Sequence, residues 1–300
     1  MKILITDSLF IFPEHEGMLK DAGFEVERLD KPHATEDELV VAVKGKDGYI
    51  LGGIEDITQR VVDAGDKLKA IVFTGIGYKD HIPAWEYATK KGIAIANTPS
   101  APTHAVSEWA LTMVLAMNRG IFDLGRAGKK DFMTTKGLED QHVGIIGFGH
   151  IGQHLAEMLP VFRPASISYY SRSRHNKELP ALLAESDVIF LCVSKDAGEN
   201  FIDAAKLTTM KDDALLVSFM APGIIDEVAL LAELAKGRLR AASDSPMKSE
   251  GFKDLPLGTW HCFNGSNAFN TFTELKLTSD MATQSMINLL KTGKDQNKVN

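Results

Sequence analysis

The sequence predicts an α/β protein built from two doubly wound, Rossmann-like parallel-sheet domains with a cleft between them. Three observations carry this. Short apolar, β-branched runs alternate with helix-period segments along almost the whole chain, a pattern that demands crossover connections and parallel strands. The alternation is punctuated by Pro99 and Pro102 and then restarts. At 300 residues the chain is long for one domain and comfortable for two.

In the first series Ile3-Leu4-Ile5 reads as a strand and 12–22 as a helix. Tyr49-Ile50-Leu51 ends in Gly52-Gly53, with a helix expected over 56–64. Ala70-Ile71-Val72-Phe73 runs into Gly75 and Gly77, and Ile93-Ala94-Ile95 closes the series before Asn97-Thr98-Pro99. A long apolar helix is expected over 103–118, and the basic stretch 126–136 reads as a surface loop. The second series has strands expected over 143–146, 166–170, 188–192, 214–218, 239–242 and 260–263, with a helix over 153–159 after the first of them. A helix over 272–290 ends the chain, followed by a polar tail, 291–300, expected to fray. This last helix has no sheet of its own and is expected to return to the first domain. The expected organisation is a flavodoxin-like substrate domain, 1–99 plus 272–300, and a dinucleotide-binding domain, 100–271.

Composition narrows the function. Hydrophobic residues are 44% and charged residues 24%, as in ordinary globular proteins. A net charge of −7 argues against a nucleic-acid partner, which wants a basic face. Two cysteines, Cys192 and Cys262, supply no disulfide framework and point to a reducing compartment. No apolar run approaches the ~20 residues of a membrane helix, and the first residues lack a signal-peptide pattern. The expected location is cytoplasmic. No Cys/His cluster has metal-ligand spacing, so no metal is expected.

The sharpest motif is Gly147-Phe148-Gly149-His150-Ile151-Gly152, which follows the strand Val143-Gly144-Ile145-Ile146. The first glycine permits a tight turn, the second lets backbone approach a pyrophosphate, and the third allows close helix–sheet packing. The helix N-terminus then faces the phosphates. The next strand would end in Asp or Glu in an NAD site, to bind the ribose 2′-OH. Here it ends in Ser171-Arg172-Ser173-Arg174. Guanidiniums and hydroxyls suit a 2′-phosphate, so NADP(H) is the expected cofactor and NAD(H) the other candidate. A plain solvated loop is the alternative reading of the same four residues.

The glycine turn, Asn97-Thr98-Pro99, Ala105-Val106-Ser107-Glu108 and Ile224-Ile225-Asp226-Glu227, in that order of domains, resemble the D-isomer-specific 2-hydroxyacid dehydrogenase family across nearly the whole chain. The resemblance implies hydride transfer between nicotinamide C4 and C2 of a 2-keto or 2-hydroxy acid, and a homodimer formed around the helix 103–118. It places Cys192, Val193, Ser194, Phe219, Met220, Ala221, Asp244 and Ser266 along the dinucleotide. It places Gly52, Gly53, Ile76, Gly77 and Tyr78 at the substrate.

It also implies three catalytic residues, and the sequence departs from each. Ala221 stands where an Arg should hold the substrate, Ser266 where a His should protonate the carbonyl oxygen, and Ser249 or Glu250 where a Glu should orient that His. A general acid contributes roughly 10²–10⁴ in rate, so ordinary 2-keto acid reduction is expected to be crippled. The candidates to substitute are Tyr78, Lys79, His104 and His261, each with an ordinary structural reading beside it. Arg240 is the only nearby arginine that a different alignment would offer. Two functional readings follow. One is an NADP(H)-dependent oxidoreductase with altered chemistry, acting on a small polar carbonyl-type substrate. The other is a catalytically inactive dinucleotide-binding sensor or partner subunit.

Overall fold

The computed structural model describes residues 1–6, 11–31, 33–122, 134–219, 223–256, 258–262 and 268–300. The chain forms two compact units, Met1–Pro102 with Asn270–Asn300, and Thr103–Phe269.

The first unit holds β1 (Lys2–Thr6), α1 (Pro13–Asp21), β2 (Glu25–Leu29), α2 (Glu36–Ala42), β3 (Gly48–Leu51), α3 (Gln59–Ala64), β4 (Ala70–Phe73), α4 (Tyr78–His81), α5 (Trp85–Lys90) and β5 (Ala94–Ala96). The strands form one parallel sheet in the order β2-β1-β3-β4-β5, a doubly wound order with its switch point between β1 and β3. Alternation along the strands sorts the core into two faces. Leu4, Tyr49, Leu51, Ile71 and Ile95 pack with Leu39, Val61 and Ala88 of α2, α3 and α5. Ile3, Ile5, Ile50 and Val72 face Leu19 of α1 and Ala282, Met286 and Leu289 of the chain's last helix.

The second unit holds α6 (Thr103–Asn118), β6 (His142–Ile146), α7 (His150–Met158), β7 (Ser166–Tyr170), α8 (Leu179–Glu185), β8 (Val188–Leu191), α9 (Ala204–Thr209), β9 (Leu215–Ser218), α10 (Glu227–Ala235), β10 (Arg240–Ser243) and β11 (Trp260–Cys262). Its parallel sheet runs β11-β10-β9-β8-β6-β7. Val143, Ile145, Phe190 and Val217 pack on α6 and α7. Ile146, Ile189, Leu216 and Ala241 pack on α8, α9 and α10. The last helix, α11 (Phe272–Thr292), packs on β3, β4 and β5 of the first sheet.

Both expected parallel sheets are therefore present. Three local readings change. The edge strand β2, Glu-Val-Glu-Arg-Leu, is half solvated and carries the charges of a surface segment. The helix expected over 153–159 starts at His150, directly after Gly149. The polar tail is bonded rather than frayed. Asn300 accepts from the Ile95 N–H (2.8 Å) and donates to the Ile93 carbonyl (2.9 Å), and Val299 donates to the Ile95 carbonyl (2.8 Å). This covers β5, the open edge of the sheet. Most of the stretch 126–136 lies outside the described residues. No described helix is long and apolar enough to cross a membrane.

Candidate functional site

The glycine turn sits at the carboxyl end of β6, beside the switch point of the second sheet, where open α/β sheets bind ligands. Gly147 has φ +95°, and a Cβ there would stand 2.5 Å from the Cys192 carbonyl carbon and oxygen. Its N–H donates to the Tyr170 carbonyl (2.7 Å), which ties the turn to β7. A Cβ on Gly152 would stand 2.1 Å from the Gly147 carbonyl oxygen. The fold itself demands these two glycines. Gly149 is different: a Cβ there would meet nothing within 4 Å. It caps α7 without a side-chain acceptor for the first helical N–H groups. The result is a bare helix N-terminus behind an open cradle, which fits the pyrophosphate of a dinucleotide.

The loop after β7 is a closed turn. The Ser171 N–H and hydroxyl both donate to the Arg174 carbonyl (2.9 and 2.6 Å), and the Arg174 N–H donates to the Ser171 hydroxyl (3.0 Å). The Ser171 hydroxyl is thus spent on the loop, leaving Arg172, Ser173 and Arg174 exposed. The Arg174 guanidinium lies 5.0 Å from the Phe148 ring centroid. Along the same edge, Cys192 N–H donates to the Ile146 carbonyl (2.6 Å), and burial pushes the Cys192 thiol up. Val193 packs against the core face shared by α8 to α10, and Phe219 against the face shared by α6 and α7. Ser194 starts a short 3-10 turn as its cap. Asp244 is buried at the end of β10 and accepts from the Ala268 N–H (3.1 Å). Its carboxylate, after burial, helps to push the Cys262 thiol up to about 11. Met220, Ala221 and Ser266 lie outside the described residues.

In the first unit, Asn97 donates to the Ile76 carbonyl (2.9 Å) and the Thr98 N–H to the Gly75 carbonyl (3.0 Å), which fixes the loop after β4. Ile76 and Gly77 are exposed there. Tyr78 and Lys79 open α4 and converge on one ring: Tyr78 meets Trp85 edge-on at 6.2 Å, and the Lys79 ammonium lies 5.0 Å above it. Under Gly52 and Gly53 lies a residue that sequence reasoning missed. Glu55 is 4% exposed. Its Oε1 accepts from the Tyr49 hydroxyl (3.2 Å), which accepts from Thr6 (3.2 Å). Its Oε2 has no partner among the described residues, and a Cβ on Gly53 would stand 2.0 Å from it. Burial, and then the Glu55 carboxylate, hold the Tyr49 hydroxyl well above the usual phenol range.

Among the described residues no cluster of His, Cys, Asp and Glu is placed to hold a metal ion. The comparisons with known proteins bear on the family. Residues 111–262, just over half the chain, match the family model described as the D-isomer specific 2-hydroxyacid dehydrogenase, NAD binding domain. The chain belongs to the D-isomer specific 2-hydroxyacid dehydrogenase family. It is 32% identical over 223 residues to the hydroxypyruvate reductase of Thermotoga maritima, covering 70% of this chain and 72% of that protein. It is 30% identical over 281 residues to the D-3-phosphoglycerate dehydrogenase of Methanocaldococcus jannaschii, covering 86% of this chain. It spans only about half of that relative's length, 51%. The fold matches the NAD+-bound 3-phosphoglycerate dehydrogenase of Entamoeba histolytica with a TM-score of 0.87, at 22% identity, over 100% of this chain and 98% of the other.

Within this member of the family, the substitute candidates are dispersed. His261, on β11, packs its ring against Phe122 at 4.6 Å. His104, at the start of α6, bonds to His154 of α7 (3.0 Å). Glu250 is exposed beside Lys253 at 3.3 Å, and the Ser249 N–H donates to Glu227 (3.3 Å). Arg240 begins β10, at the opposite edge of the sheet from the glycine turn. It pairs there with Asp213 (2.7 Å) and Asn118 (3.2 Å). That placement makes Arg240 a structural clamp and removes it as a stand-in at the carboxyl edge.

Proposed function

We propose that the chain is an NADP(H)-dependent oxidoreductase with altered active-site chemistry, transferring hydride to a small polar carbonyl-type substrate. The observation that carries this is the open cradle at Gly149 next to a β7 loop that presents Arg172 and Arg174 and no carboxylate. Bound NADPH would supply the hydride. The α7 N-terminus would hold the pyrophosphate, and the two arginines would hold the 2′-phosphate. Cys192 to Ser194, Phe219 to Ala221, Asp244 and Ser266 would line the remaining length of the dinucleotide. In this reading residues 1–99 and 272–300 form the substrate domain and 100–271 the dinucleotide domain.

The chemistry departs from relatives named for hydroxypyruvate, glyoxylate and 3-phosphoglycerate. With Ala221 and Ser266 in place of the Arg and His, the substrate loses its guanidinium anchor and its imidazole proton donor. Backbone N–H groups of the Gly52-Gly53 and Ile76-Gly77 loops, with the Tyr78 side chain beside them, then carry substrate recognition. We further propose a homodimer through Thr103–Asn118. An apolar groove of about 370 Å³ runs along this helix, lined by Leu111, Leu115, Met158, Val161 and Phe162. Val161 is 82% exposed there, a surface suited to a second copy of the chain. A cytoplasmic location accords with the unpaired cysteines.

The test is turnover. NADPH absorbance followed against a panel of carbonyl and imine compounds is expected to fall with at least one of them. No turnover with any compound favours the second reading, a non-catalytic dinucleotide sensor or partner subunit, which the same Ala221 and Ser266 support.

A further inference from the structure

Resting on the NADP(H) reading, we infer that Phe148 and Tyr169 form an aromatic platform that makes Arg174, and not Arg172, the residue selecting the 2′-phosphate. The two rings stack face to face, 3.8 Å between centroids and 15° between planes. Phe148 belongs to the glycine turn and Tyr169 to β7, so the platform joins the pyrophosphate cradle to the strand that carries the ribose. The Arg174 guanidinium lies against the side of this pair, 5.0 Å from the Phe148 centroid and 5.6 Å from the Tyr169 centroid. Its N–H edge donates to no described residue, and Glu178, four residues on, meets His175 instead (3.0 Å). A guanidinium packed against a ring pair with its N–H edge open is a phosphate fork whose range of positions is narrowed before the ligand arrives.

The loop that carries it is pinned at both ends. Ser171 closes the turn onto the Arg174 backbone. Asn176 then clasps the open edge of β7. Its side chain accepts from the Tyr169 N–H (2.7 Å) and donates to the Ile167 carbonyl (3.3 Å), and its own N–H donates to the Tyr169 carbonyl (3.1 Å). Asn176 thus supplies with one residue the hydrogen bonds a further strand would give. Arg172, two residues earlier, is exposed and, among the described residues, contacts no ring or acid. It adds charge, which salt screens, but no orientation. Binding a preset fork costs less ordering than binding a free one. Phe148, Tyr169 and Asn176 are therefore positioning residues for Arg174.

The test is the ratio of NADPH to NADH affinity, measured by calorimetric titration of the full chain at one salt concentration. Arg174→Ala is expected to lower the ratio about ten- to a hundredfold, the range of a charge-assisted bond. Arg172→Ala is expected to lower it less, with most of its effect gone in high salt. Phe148→Leu and Tyr169→Val, with Arg174 intact, are each expected to lower it roughly threefold, and Phe148→Tyr to restore it. Two different platform variants guard against one that disturbs the turn. A wild-type chain that prefers NADPH while both platform variants keep that preference overturns the platform and leaves the cofactor reading standing. A larger effect from Arg172→Ala than from Arg174→Ala also overturns it. A wild-type chain with no NADPH preference overturns both.

Discussion

Asp47 enters β3 of the first sheet with its carboxylate accepting from the Lys2 N–H (2.8 Å) and from Lys69 (2.8 Å). Asp187 enters β8 of the second sheet in the same way, accepting from the His142 N–H (2.8 Å) and from Lys211. The backbones match too. Asp47 N–H donates to Lys2 and Asp187 N–H to His142, while Lys69 and Leu215 donate back to the two aspartates. The two sheets are therefore clasped by one device where their strands begin. They diverge where the strands end. At the glycine turn and the β7 loop of the second sheet the polar groups open outward, as the bare α7 N-terminus and the exposed arginines. In the first they turn inward, as the buried Thr6–Tyr49–Glu55 chain. The starting edge of such a sheet holds it together, and the finishing edge is free to specialise.

The largest effects should come from the glycines that separate these roles. Gly152→Ala forces a methyl into the Gly147 carbonyl oxygen and is expected to cost on the order of 3 kcal/mol. Gly149→Ala meets no protein atom. It should change stability by less than about 0.5 kcal/mol while weakening dinucleotide binding. Thermal unfolding and titration of both variants read the contrast, and equal destabilisation by the two would break it.

The shared clasp predicts a pH dependence. Burial by itself would push both aspartates up. The Lys69 ammonium and Lys2 N–H outweigh it at Asp47, and the Lys211 ammonium and His142 N–H at Asp187, so both carboxyls sit below their ordinary value. A lowered folded pKa contributes stability that is fully present above about pH 3.9, the ordinary carboxylate value, and lost as the pH falls through the folded one. Asp187→Asn and Asp47→Asn are each expected to cost roughly 2 kcal/mol near neutrality and to flatten the acid limb of the stability curve. Denaturant titrations across that range check it. A limb as steep as in the wild type would show that the clasp is not the acid-sensitive element.

Smaller effects sharpen the edges. Asn300→Ala removes the side-chain bonds over β5 and should cost about 1 kcal/mol, with faster amide exchange at Ile95. The thiols should be slow toward alkylating reagents at neutral pH, because only the thiolate reacts. Burial pushes both up, Cys262 to about 11. Rapid labelling of native Cys192 at neutral pH would contradict its placement.

Much of this was legible in the sequence because backbone rules are local. Alternation announced the strands of both sheets, and the glycine spacing announced the turn. What escaped depends on neighbours distant in sequence. β2 reads as polar surface because an edge strand is half solvated. The tail reads as frayed because nothing in its composition shows that Asn300 reaches Ile95. Thr35 and Glu38 do form a capping box that marks α2, a signal present in the sequence. Glu55, in Gly-Gly-Ile-Glu-Asp, looks like a solvated charge, and only the tertiary fold buries it. Tyr78 and Lys79 are adjacent, yet both reach Trp85 because the lysine stem is long enough to curl over the ring.

The central claim is that the finishing edge of the second sheet is a site for a phosphate-bearing dinucleotide. Its most direct test is the titration of the full wild-type chain with NADPH and with NADH under identical salt. Saturable binding with NADPH at least tenfold tighter is the predicted result; equal or tighter binding of NADH, or no binding of either, would contradict it.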